Sequence, residues 1–85
     1  MKIKKKHRED VQKPIAFATF SESFQSEQRV FYKSIEYPIY KINGGYQIVG
    51  ENGEFNFTSK MWKEVKSVWA KEVGMKICEV KGYED

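Results

Sequence analysis

The chain has 85 residues and a formal net charge of +3, with one His and one Cys. At that length it is a single domain that buries about two-thirds of its unfolded surface, with little spare structure for an elaborate active site. The lone Cys78 cannot form an intramolecular disulfide, which excludes a disulfide-stapled secreted scaffold and makes a reducing cytoplasm the expected compartment.

The basic charge is concentrated at the start. Lys2, Lys4, Lys5, Lys6 and Arg8 precede a remainder with ten Lys/Arg against twelve Asp/Glu, a net of −2. Residues 1–10 therefore read as a disordered basic tail and residues 11–85 as one domain without the tail's positive charge. No apolar core follows the basic start and no run of about 18 apolar residues occurs, so neither secretion nor membrane spanning is expected.

In chain order, Pro14 stops any helix and Ile15 to Phe20 alternates with the period of a strand. Residues 21–28, SESFQSEQ, are polar around Phe24 and read as a loop or a single helical turn. Arg29 to Ile35 forms a second strand. Pro38 begins a third, PIYKI, because it cannot donate to a ladder. Asn43-Gly44-Gly45 reverses the chain into a fourth strand, Tyr46 to Gly50, and Asn52-Gly53 is read as a two-residue hairpin turn leading into a fifth, Glu54 to Phe57.

The period then changes. Met61, Trp62, Val65, Val68, Trp69 and Val73 close on one face at the helical repeat, predicting an amphipathic helix over residues 58–73 with Met61, Val65, Val68 and Trp69 buried. Thr58 or Ser59 is its N-cap and Gly74 its C-terminal stop. Met75 to Val80 returns to the sheet as a last strand. The predicted fold is α+β, a small antiparallel sheet or SH3-like open barrel of five to six short strands with one helix packed on it.

The segment Gly44-Gly45-Tyr46-Gln47-Ile48-Val49-Gly50-Glu51-Asn52-Gly53-Glu54-Phe55, followed by the Met61-Trp62 pair that opens a helix, resembles the signature of small phage-associated proteins of the PGDYG family. Lys13-Pro14 matches the pair that precedes the family's first strand, while Gly45 stands where the family has Asp. The resemblance covers about a quarter of the chain and implies a small barrel-like, phage-encoded domain with no assigned catalytic residues.

Catalytic and metal chemistry find little support. One His in the basic tail and one distant Cys do not make a ligand set, and Gly44-Gly45 leads into a strand, whereas a phosphate cradle needs a helix N-terminus behind its glycines. No enzyme, no metal and no cofactor is expected. Two features point instead to a partner. Glu72 falls within the apolar arc of the helix, and the strands carry more aromatic residues than a sheet covered on one face requires. Aromatics make up 15% of the chain.

The partner-binding residues read from this pattern are Tyr32, Tyr37, Tyr40, Tyr46, Asn52 and Glu72. The functional expectation is a small cytoplasmic protein that acts by protein–protein interaction, and the resemblance to the phage-associated family implies inhibition of a host or defence factor. The alternative is a nucleic-acid-binding accessory protein using Lys4, Lys5, Lys6, Arg8, Lys60 and Lys63 on phosphates. A further alternative is a homo-oligomer that sequesters a small ligand in an aromatic pocket at its interface.

Overall fold

A computed structural model describes residues 13–80. In chain order the elements are β1 (Ala16–Thr19), β2 (Phe24–Ser26), β3 (Arg29–Phe31), β4 (Tyr37–Ile42), β5 (Gly45–Val49), β6 (Glu54–Thr58), α1 (Ser59–Glu72) and β7 (Lys76–Glu79). Five strands form one antiparallel sheet in the order β6-β5-β4-β1-β7, and β2 pairs with β3 as a separate hairpin. The fold is α+β as predicted, and among the described residues the large sheet ends in two edges, β6 and β7, without closing into a barrel.

The segment expected to be a loop around Phe24 is strand β2, and the expected strand from Arg29 to Ile35 stops at Phe31. The cause lies in a tight turn that composition does not advertise. Ser26 pairs with Arg29 across Glu27 and Gln28, whose φ angles are 47° and 70°. Two positive φ values in succession make the backbone of a type I′ hairpin, here without glycine or asparagine. Beyond β3, Tyr32, Lys33, Ser34, Ile35 and Glu36 are exposed, and Ser34 has φ of 66°.

The two expected hairpins behave differently. Asn43-Gly44 joins β4 to β5, with φ of 84° at Gly44 supplying the conformation that favours glycine. Asn52-Gly53 does not form the expected positive-φ pair. The loop lies one position earlier: the Gly50 N–H donates to the Gly53 carbonyl at 2.7 Å, which leaves Glu51 and Asn52 at its tip.

Thr58 caps α1, its Oγ1 accepting from the Met61 N–H at 3.1 Å. At the other end Gly74 takes φ of 65°, and the hydroxyl and N–H of Ser21 both donate to the Val73 carbonyl, at 3.2 and 3.0 Å. The end of β1 is thereby tied to the end of the helix.

The inward stripe of the helix runs through Trp62, Val65, Trp69 and Val73. Met61 and Val68, expected to be buried, are 48% and 47% exposed. The two indole rings set the helix rotation because they fill most of the space above the sheet, which turns Met61 and Val68 out to the flank. Trp69 sits among Phe20, Phe24, Phe31, Phe55 and Phe57 at centroid distances of 5.3 to 6.2 Å, and Trp62 packs on Tyr46 and Phe57. The core therefore lies between the sheet and a second layer made of the helix and the β2–β3 hairpin.

Candidate functional site

Strand register defines which residues share the face that carries the helix. One row across the sheet is Phe55, Ile48, Ile39, Ala16 and Glu79, each opposite the next on the neighbouring strand. A second row is Tyr37, Ala18 and Ile77, and a third is Phe57, Tyr46 and Lys41. The helix lies over β5 and β6, so the β1 and β7 ends of these rows are left beside it. On β1 the helix-facing positions are Ala16 and Ala18, too small to fill that space.

The result is a groove of about 450 Å³. Its floor includes Ala16, Ile39 and Ile77, its helix wall is Trp62 and Lys66, and Tyr46, Lys41 and Glu79 stand around it. The Lys41 ammonium lies 5.0 Å from the Tyr46 ring centroid, a cation–π distance.

Beside the groove runs an edge left open by the described residues. All four residues of β7 are exposed. The Val80 N–H donates to the Ile15 carbonyl at 3.0 Å, which sets the phase of the antiparallel ladder. By the alternation of hydrogen-bonded and non-bonded pairs, Phe17–Cys78 and Thr19–Lys76 exchange main-chain bonds, whereas the N–H and C=O groups of Ile77 and Glu79 point away from β1. The opposite edge is less accessible. On β6 the outward groups belong to Glu54, Asn56 and Thr58; the Glu54 carbonyl already accepts from Arg29 Nε at 2.9 Å, and Thr58 is consumed by the helix cap.

The sequence-predicted partner residues do not form one surface. Tyr40 pairs with Gln47 and Tyr46 with Lys41, so Tyr40 and Tyr46 project from opposite faces. Tyr46 lines the groove, while Tyr40 lies on the uncovered face with Phe17, Pro38 and Val49. Tyr32 is 52% exposed. Tyr37 is buried: its ring packs on Phe20 and Phe31, and its hydroxyl donates to Glu51 Oε2 and accepts from the Tyr32 N–H, both at 2.7 Å. Burial pushes the Tyr37 hydroxyl above the ordinary tyrosine pKa, and the Glu51 carboxylate that it bonds adds to the rise.

The side chain of Asn52 works inside the fold, accepting from the Val30 N–H at 2.9 Å and donating to the Gln28 carbonyl at 2.8 Å. Glu72 is exposed on the last turn of α1, as are Lys60 and Lys63 on its first turns. Lys4, Lys5, Lys6 and Arg8 lie outside the described residues. The groove residues Trp62, Ile77 and Glu79 are not marked as site residues by the sequence. The alternating alanines of IAFATF are the local signal for it, since they leave a sheet face low beside a helix.

Among the described residues no group of three or more His, Cys, Asp or Glu could hold a metal ion, and no helix is long and apolar enough to cross a membrane. Comparison of the chain with family models, curated proteins and solved structures finds no match.

Proposed function

We propose that this domain is a small protein-binding module that takes an extended segment of a partner protein as an additional strand along β7. The observation that carries the reading is the juxtaposition of the outward main-chain groups of Ile77 and Glu79 with the groove floored by Ala16 and Ile39. Strand addition uses main-chain hydrogen bonds for affinity and neighbouring pockets for alternate side chains. Both halves of such a site are present at this edge.

The resemblance of residues 44–55 to the PGDYG family supports a phage-encoded role, in which holding a strand of a host or defence protein inhibits that protein. A reducing compartment suits the exposed Cys78 thiol.

The experiment is selection of binders from a random peptide display library, repeated with Ile77→Pro. Proline removes an outward N–H without removing a ladder bond to β1, so the domain stays folded while selected peptides lose their site. Peptides that bind Ile77→Pro as well as the parent domain contradict the reading. Stronger binding of DNA or RNA, with the largest NMR shifts at Lys60 and Lys63, replaces it with nucleic-acid binding.

A further inference from the structure

Given strand addition at β7, we infer that the segment runs antiparallel to β7 and reads, from its N-terminal end, basic, any residue, apolar, acidic. The inference rests on the reading above and names the chemistry that its edge selects. Side chains directly opposite one another on antiparallel strands lie about 4.5 to 5.5 Å apart at Cβ and form the unit of cross-strand recognition. Whatever stands opposite Glu79 therefore meets a carboxylate first, which favours Lys or Arg.

Lys41 of the groove does not reverse that preference. Lys41 lies on β4 in the neighbouring row, with β1 and β7 between it and the added strand, each strand step adding about 4.8 Å. Two residues further along the segment, on the same face, the side chain stands opposite Ile77 and beside the groove, where an apolar group is favoured. The next position is opposite Lys76 on the other face and favours Asp or Glu. The direction follows from the sheet, in which every pairing is antiparallel, and from the two N–H···O=C hydrogen bonds that each bonded antiparallel pair exchanges.

A second copy of this chain fits less well. Two-fold pairing centred on Cys78 sets each Ile77 against the other copy's Glu79 and leaves both Glu79 carboxylates diagonal to each other on one face. A heterologous segment has no such repulsion.

The test uses fluorescence anisotropy with two labelled ten-residue peptides of otherwise identical sequence, one centred on Lys-Thr-Leu-Glu and the other on Glu-Thr-Leu-Lys. The domain is expected to bind the first about fivefold more tightly, and Glu79→Lys is expected to abolish or reverse that preference. Glu79 is exposed, so the variant keeps the fold. Equal affinities that are both lost in Ile77→Pro overturn the inference and leave strand addition standing. Failure of both peptides to bind at millimolar concentration, or equal binding to Ile77→Pro, overturns both.

Discussion

Asn52 clasps a strained turn. Glu27 and Gln28 both occupy the left-handed region, where a residue with a Cβ costs about 1 to 2 kcal/mol. Their carbonyls are held by side chains: Arg29 Nη1, from the end of the turn, donates to Glu27 at 3.0 Å, and Asn52 Nδ2, from the β5–β6 loop, donates to Gln28 at 2.8 Å. Gln28→Gly should therefore raise stability by about 0.5 to 1 kcal/mol in urea unfolding, since relief of strain outweighs the added freedom of the unfolded chain. Asn52→Ala should lower it by about 1 to 3 kcal/mol, because the Val30 N–H and the Gln28 carbonyl both lose their partner. Tyr37 makes a second clasp, between Tyr32 and Glu51. Its folded pKa lies above the unfolded value of 10.0, so the folded state holds the proton longer as pH rises. The stabilisation from this group is complete below about pH 10 and declines above it. Alkaline melts should show that decline in the parent domain and a shallower one in Tyr37→Phe.

At the scale of elements, the helix illustrates how far periodicity carries. The predicted span of 58–73 contains α1 together with its caps at Thr58 and Val73, because capping chemistry and helical spacing are local properties of the chain. The rotation of the helix about its axis is not local. It depends on which side chains find volume above β5 and β6, and the two tryptophans take it in preference to Met61 and Val68. Trp69→Ala should accordingly cost about 3 to 5 kcal/mol and Val68→Ala less than about 0.5 kcal/mol, measured by thermal or urea unfolding. The strands follow the same division. Alternation locates β1, β4, β5 and β6 to within a residue or two, whereas β2 is hidden in SESFQSEQ because its turn lacks glycine and asparagine and is held by the side chains of Arg29 at its end and Asn52 from a distant loop. Tyr46, expected as a partner residue because it is an aromatic on a strand, lines the groove. The groove itself is not legible in the sequence, since strand order places β7, the last strand in sequence, next to β1, the first.

For the molecule as a whole, the two edges of the sheet have different fates. The chain leaves β6 directly for the helix and Arg29 covers one of its outward carbonyls, while β7 ends the sheet with all four residues exposed and a groove at its side. Exposed edge groups are a template for another strand. Deleting residues 2–8 removes five positive charges and no described element, so strand addition should survive that truncation with little change in melting temperature. The central claim, that a partner segment hydrogen-bonds along β7, is tested most directly by amide hydrogen exchange followed by NMR, with and without a saturating peptide centred on Lys-Thr-Leu-Glu. Selective slowing of the Ile77 and Glu79 amides is the expected result, because their N–H groups point away from β1 and become bonded only when a strand is added. Unchanged exchange at these two amides, with slowing instead around Phe17 and Tyr40 on the uncovered face, would contradict the account.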